Sequence, residues 1–433
     1  MKSAAMPPVS LQDILNQIPD YDANALPVAK AQEIIAQFVV PIHAVEKLNL
    51  RQALGRVLAD NIISGINVPA HDNSAMDGYA LRGQDLPSAQ SKRFRVAGTA
   101  FAGHAYQREI GQDECVRIMT GAVMPDGCDT VIPQELIALH DEQTIDIPTL
   151  IVRPGDNRRM KGEDLAQGKT ALLKGKILKP ADLGLLASLG IGEVAVQRRL
   201  RVAFFSTGDE LRSLGETLDD GCVYDSNRYT LHAMLTRLGC EIIDMGVVKD
   251  DPASLEASFR NACENADVII TSGGVSAGAA DYTKQMMAQI GDVAFWNIKM
   301  RPGRSMVFGK IESNGKSAYL FGLPGNPVAV MVTFYFLARH ALFILMGASA
   351  PPLPVIRVNS TMAIRKRPGR TEYQRGILAS QANGELGVSI TGAQGSGILR
   401  SMSEANCMIV LHEEQNNVAV GDKIEVLLFD GFI

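Results

Sequence analysis

The stretch Asp267-Val-Ile-Ile-Thr-Ser-Gly-Gly-Val-Ser-Ala-Gly-Ala-Ala-Asp-Tyr-Thr-Lys284 constrains the fold more than any other part of the chain. Val268, Ile269 and Ile270 are an unbroken apolar run suited to a strand covered on both faces, and Lys284 to Ile290 reads as the helix that follows. Between them lies a loop of small residues. Gly273, Gly274 and Gly278 allow positive φ and close approach of backbone N–H groups, and the positive end of the next helix faces the same place. A phosphate or another oxyanion is the expected guest. Asp281 stands where a helix cap belongs, worth about 1 kcal/mol. An acid beside an anion loop is also what a bridging Mg2+ needs.

The same strand-then-helix alternation extends on both sides. Val202-Ala-Phe-Phe leads into Ser206-Thr-Gly-Asp-Glu210, a helix opens near Asp225-Ser-Asn-Arg, and Glu241 to Val248 precedes Lys249-Asp-Asp-Pro. Phe321-Gly-Leu-Pro-Gly-Asn-Pro327 opens a long apolar helix, with Pro327 suited to its first turn. This order predicts a doubly wound, largely parallel sheet, whose ligands sit beyond the carboxyl ends of the strands. Every chemically loaded loop follows a strand. The topology therefore gathers two glycine-rich loops and up to five carboxylates (Asp209, Glu210, Asp250, Asp251 and Asp281), each of which taken singly also fits a cap or surface charge.

Outside this region the chain changes character, and its length of 433 residues allows about three domains. Residues 1–63 with 168–198 read as a helical and linking region, with Ala31, Ile34, Ile35 and Phe38 on one helix face and a second helical pattern from Val45 to Ala59. Residues 64–167 read as a mostly β domain, entered through the polar stretch Pro69 to Ala80, which fits a solvated or a functional loop. Residues 199–348 are the α/β unit, and 349–433 a small β barrel or sandwich. Arg158-Arg-Met-Lys-Gly-Glu-Asp164 reads as a solvated face, an anion grip or a pairing run across a subunit boundary; Arg365-Lys-Arg-Pro-Gly-Arg370 reads as a solvated turn. Gly392-Ala-Gln-Gly-Ser-Gly397 fits a flexible turn, or an anion-holding or hinge loop.

Several function classes lose support. A formal charge of −5 with a pI near 5.9 gives no general footing for nucleic acid. The six cysteines form no C-x-x-C pair, no leader-like segment opens the chain, and no apolar run approaches the roughly 18 residues of a membrane span. A cytoplasmic protein with reduced cysteines is expected. Walker A and G-x-G-x-x-G patterns are missing, and none of the seven histidines follows a nucleophile elbow.

Taken in order, Asp72-Asn-Ser-Ala-Met-Asp-Gly-Tyr-Ala80, Arg117-Ile-Met-Thr-Gly121, Phe205-Ser-Thr-Gly-Asp-Glu-Leu211, Ser272 to Lys284 and Gly322-Leu-Pro-Gly-Asn-Pro-Val-Ala329 resemble the signatures of the MoeA/gephyrin E-domain molybdenum insertases. The resemblance implies a multidomain α/β and β chain that transfers molybdenum from molybdate to adenylylated molybdopterin, releasing AMP in an Mg2+-dependent step. By motif position it implies Asp77, Thr120, Asp164, Glu210, Asp250 and Asp281 as catalytic residues, with Glu210, Asp250 and Asp281 also supporting the metal. Ser206, Thr207, Gly208, Ser272, Gly273, Gly274, Ser276, Gly278, Arg301, Pro324, Gly325, Asn326, Pro327 and Ser396 would bind or shape the site for the pterin ligand. It further implies homodimers in which the loop around Asp77 and Thr120 completes the partner's site. Molybdopterin adenylyltransferase and molybdenum-enzyme maturation proteins would be its partners, with no nucleic acid or membrane. Two other readings share these loops: an adenylyltransferase or nucleotide pyrophosphatase, and a non-catalytic assembly scaffold. One segment departs from the family pattern. Asn297 and Arg301 stand where the family commonly has lysine, and strand alternation would put Lys299 on their face.

Overall fold

The computed structural model describes residues 10–141, 143–274, 281–349 and 352–429, and the side chains of 281–285 are outside that description. Its centre is a six-stranded sheet in the order Glu241–Val248, Arg201–Thr207, Val268–Ser272, Lys316–Leu323, Ser305–Ser313 and Gly291–Asn297. The first four are parallel; Ser305–Ser313 runs antiparallel to both of its neighbours. Alternation along each strand feeds two separate cores. Val202, Phe204, Val268 and Ile270 pack on one face with Leu231 and Leu235 of the helix Ser226–Arg237 and with the helix Pro327–Leu345. Ala203, Phe205 and Ile269 pack on the other face with Leu255 and Phe259 of the helix Pro252–Asn265. The sheet is thus doubly wound, and the middles of its central strands, Val202 to Phe205 and Val268 to Ile270, are apolar without alternation because both faces are covered.

The register lines up the strand ends. Ser206 pairs with Ser272, Thr207 with Val248, Thr271 with Gly322 and Ser272 with Leu323, so the loops that leave these strands emerge side by side. Around this unit, Val28–Phe38 buries Ala31, Ile34, Ile35 and Phe38 against the first core, as the helical spacing predicts. The β domain carries a second six-stranded sheet in the order Thr130–Pro133, Gly78–Leu81, Glu114–Ile118, Lys92–Ala100, Thr144–Ile147 and Ala138–Leu139. In the C-terminal domain Thr371–Ser380, Leu386–Ile390, Ile356–Ser360, Lys423–Leu428 and Cys407–Leu411 close into a five-stranded barrel, since the first and last also pair.

Three expectations need correction. Val45 to Ala59 is not a helix: Val45–Asn49 is a strand antiparallel to Glu193–Gln197, with Gly55 at φ +72 soon after it, and long-range pairing overrides the local spacing. The stretch Pro69 to Ala80 is not wholly a loop, because Gly78–Leu81 is a fully buried strand held between two neighbours. The chain does contain an apolar run of spanning length, the 19-residue helix Pro327–Leu345. It is 72% buried over its most apolar window, which marks it as the core helix of this fold.

Candidate active site

The barrel docks on the central unit by backbone bonds. Met300–Arg301 adds to the barrel as an edge strand on Thr371 and Glu372, the Thr371 amide donates to the Lys299 carbonyl (3.0 Å), and the Val328 amide donates to the Ser396 carbonyl (3.0 Å). Between the two units, beyond the carboxyl ends of the parallel strands, lies a cavity of about 880 Å3. Thr207, Gly208 and Glu210 line it from the first strand's loop, Asp250 from the second, and Ser272, Gly273 and Gly274 from the third. Pro324, Gly325 and Asn326 come from the loop before the long helix. Arg301 and Ser396 complete the residues expected there from sequence, now joined across the domain boundary.

The glycines are needed for two separate reasons. Gly273 takes φ +89, and a Cβ on it would overlap the Thr207 carbonyl; Gly274 takes φ +68, with Thr207 Oγ1 2.8 Å from where its Cβ would be. The Glu210 carboxylate folds over Gly208, where a Cβ would lie 2.6 Å from Oε2. These close approaches keep the loop backbones and the carboxylate packed together, so a ligand meets N–H groups and side-chain oxygens rather than aliphatic surface.

Other sequence-based candidates lie elsewhere. Ser206 is fully buried beneath the floor, and Pro327 begins the long helix without lining the cavity. Asp251 caps the helix Pro252–Asn265 through the Ser254 amide (2.9 Å), and Asp209 lines a shallower neighbouring hollow. Asp77 and Thr120 form an exposed pair in the β domain, where Asp77 Oδ1 accepts from both the Thr120 hydroxyl and its amide at 2.7 Å. Those two bonds hold the Asp77 carboxyl below the usual range, the hydroxyl contributing most. Asp164 is exposed in the same domain. Ser276, Gly278 and the side chain of Asp281 lie outside the described residues.

Sequence reasoning missed part of the wall. Arg370, read as a turn residue, lines the cavity with Arg301, Arg304, Ser305 and Gln394. Among the described residues no ion pair ties up Arg301, Arg304 or Arg370, so three arginines free of a carboxylate partner line one cavity. Lys299 does not join them. The strand ends at Asn297, the alternation stops there, and Lys299 Nζ instead pairs with Glu413 of the barrel at 2.9 Å. Asn227, second residue of its helix, also lines the cavity; the polar run Asp225-Ser-Asn-Arg was the available sign of it.

The site therefore brings the carboxylates of Glu210 and Asp250 into one cavity with three arginines and the glycine-rich loops. Comparison with known proteins decides the lineage. Residues 26–190 match the MoeA N-terminal region (domain I and II), 203–343 match the model described as "Probable molybdopterin binding domain", and 357–429 match the MoeA C-terminal region (domain IV). The chain belongs to the MoeA family. Its curated MoeA relatives include the molybdopterin molybdenumtransferase of Haemophilus influenzae, 44% identical over 386 residues, spanning 89% of this chain and 94% of the relative. The enzyme of the same name from Nostoc sp. is 34% identical over 387 residues and 88% of each chain. A crystal structure of the molybdopterin biosynthesis moeA protein from Pyrococcus horikoshii superposes with a TM-score of 0.80 at 26% identity, covering 94% of this chain and all of that one. As a MoeA family member the chain is an enzyme of the transferase class with a role in molybdenum cofactor biosynthesis.

Proposed function

We propose that the chain is a molybdenum insertase that takes molybdate and adenylylated molybdopterin, cleaves the phosphoanhydride, releases AMP and leaves molybdenum on the pterin dithiolene. The observation that carries this reading is that Glu210 and Asp250 line one cavity together with Arg301, Arg304 and Arg370, beside two glycine loops. Each set suits one requirement of the reaction. Phosphates meet the loop N–H group at Gly274, since the Gly273 amide donates to the Leu323 carbonyl, and a tetrahedral oxyanion meets guanidinium forks with five donors each. Arg301 supplies the fork where the family commonly offers lysine.

The donor set suits Mg2+, which takes one or two carboxylates and completes its shell with substrate phosphate and water. Glu210 and Asp250 would hold it, and the ion when bound would neutralise charge developing on the phosphoanhydride. The protein's own share is positional: the loops fix the phosphates, the arginines hold the oxyanion beside the pterin sulfurs, and the barrel loop at Gln394 to Ser396 covers the cavity.

Asp77 and Thr120 are exposed and do not line this cavity, so in this reading they act in the site of a second copy within a homodimer. The reaction is assigned to the cytoplasm, with the enzymes that supply the adenylylated pterin and receive the cofactor as partners. The test is direct. Purified protein with adenylylated molybdopterin, molybdate and Mg2+ should release AMP and activate an apo molybdenum enzyme. AMP release without molybdate would support a nucleotide pyrophosphatase instead, and formation of adenylylated pterin from ATP would support the adenylyltransferase.

A further inference from the structure

After Trp296, Arg375 is the largest fully buried side chain among the described residues. It lies on the barrel strand Thr371–Ser380, where its Nε donates to Ser401 Oγ at 2.9 Å and its Nη2 to the Gly395 carbonyl at 3.1 Å. Among the described residues no carboxylate forms an ion pair with it. Burial pulls the guanidinium down to about 10, which still leaves it charged at neutral pH. A buried charge without an opposite partner is rare, because its desolvation is then left uncompensated.

The loop that Arg375 holds is the barrel's contribution to the cavity, since Gln394, Gly395 and Ser396 all line it. Gln394 is fixed by the Arg375 backbone: its Oε1 accepts from the amide at 2.8 Å and its Nε2 donates to the carbonyl at 3.2 Å. The Ser396 carbonyl accepts from the Val328 amide of the long helix. Between these two anchors the guanidinium takes the Gly395 carbonyl, which also receives the Ile398 amide at 3.3 Å. The buried charge therefore sits one residue behind a cavity that Arg301, Arg304 and Arg370 also line, and an anion bound there supplies the opposite sign that the barrel interior lacks. We propose that Arg375 is a positioning residue for an oxyanion substrate, fixing the loop from Gln394 to Ser396 against the cavity and adding buried positive charge behind it. This rests on the reading of the cavity as the place where molybdate is received.

Two variants of the full chain test it, with urea denaturation to establish that each is folded. Arg375→Met keeps most of the side-chain length and removes the charge and its donors, while the backbone bonds to Gln394 remain. The molybdate concentration for half-maximal AMP release should rise about 10-fold or more through the lost charged hydrogen bond. The half-saturating concentration of adenylylated molybdopterin and the turnover at saturation should stay within about 2-fold, because what is lost is binding of one substrate. Hydrogen exchange read by mass spectrometry should quicken over residues 392–398. Arg375→Lys keeps the charge but offers a point donor in place of a fork, so its molybdate requirement should rise about 3-fold. A wild-type molybdate requirement in Arg375→Met, equal losses for both substrates, or unchanged exchange in the loop would overturn the proposal. If Arg375→Met does not fold, Arg375→Lys decides: a rise confined to molybdate supports the assignment, and parallel losses or wild-type behaviour sink it. Wild-type protein whose AMP release ignores molybdate would overturn the reading of the cavity, and the exchange measurement would still decide whether Arg375 holds the loop.

Discussion

Replacing Gly273 by alanine tests how closely the anion loop is built. The residue sits at φ +89, where an L side chain costs about 1–2 kcal/mol. The new Cβ would overlap the Thr207 carbonyl, a backbone atom that cannot swing aside, and such overpacking typically adds about 1–3 kcal/mol. Together the loss of stability should be about 2–5 kcal/mol by these two contributions. Relieving the overlap requires the loop to retreat by about 1 Å, a displacement that costs about 100-fold in turnover when it misplaces a reacting group. Gly315→Ala is the matched control: it also has positive φ, +70, but nothing lies within 4 Å of its added Cβ. That variant should lose only the backbone strain, about 1–2 kcal/mol, and keep wild-type turnover. The measurements are urea denaturation and AMP release under saturating substrates. Gly273→Ala with the stability and turnover of Gly315→Ala would refute the claim that close backbone approach shapes this loop.

Three further outcomes are expected. Arg301→Ala and Arg370→Ala should each raise the molybdate concentration for half-maximal activity by about 10- to 100-fold through a lost charged hydrogen bond, read from molybdate titrations of cofactor formation. Lys299→Ala should shift it by no more than about 2-fold, because its ammonium is engaged with Glu413 away from the cavity. Asp77 should titrate below the ordinary carboxylate range in carbon-detected NMR, and Thr120→Val should move it back up. Because its folded value is depressed, the Asp77–Thr120 contact favours the folded state above about pH 4 and is lost as pH falls through that lower value. Finally, burial pushes Cys115, Cys128 and Cys240 up to about 12 and Cys407 to about 11, so iodoacetamide at pH 8 should leave them unmodified in folded protein. Mass spectrometry that finds them labelled at the rate of the half-buried Cys222 would contradict that.

The central sheet was legible because its signals are local. Val268 to Ile270 is apolar without alternation, small residues follow it, and a helix follows those, so one short segment specifies a strand, a loop and the side on which ligands gather. The strand Gly78–Leu81 carries no such signal. Gly, Tyr, Ala and Leu make no β-branched run, and the preceding polar residues read as a turn; only pairing with Glu114–Ile118 and Thr130–Pro133 makes it a strand. Val45 to Ala59 fails for the same reason, since its partner strand begins at Glu193.

The candidate site divides along the same line. Residues on the strand-end loops, such as Thr207, Glu210, Asp250 and Gly273, could be placed from topology alone because parallel pairing forces their loops to one edge. Arg370 could not. Within Arg365-Lys-Arg-Pro-Gly-Arg370 the cations look alike in sequence, yet the fold gives them different tasks. Lys366 is buried and donates to the Arg367 and Arg370 carbonyls at 2.7 and 2.8 Å, holding the turn, while Arg370 reaches the cavity. That division depends on how the barrel docks, through Met300–Arg301 pairing with Thr371 and Glu372 and through Ser396 against Val328. Those contacts join residues about 70 positions apart in sequence. The same docking explains why Arg301 succeeds where Lys299 does not. Once Met300 and Arg301 become an edge strand of the barrel, the alternation inherited from Gly291–Asn297 ends, and the next residues take their facing from the barrel instead.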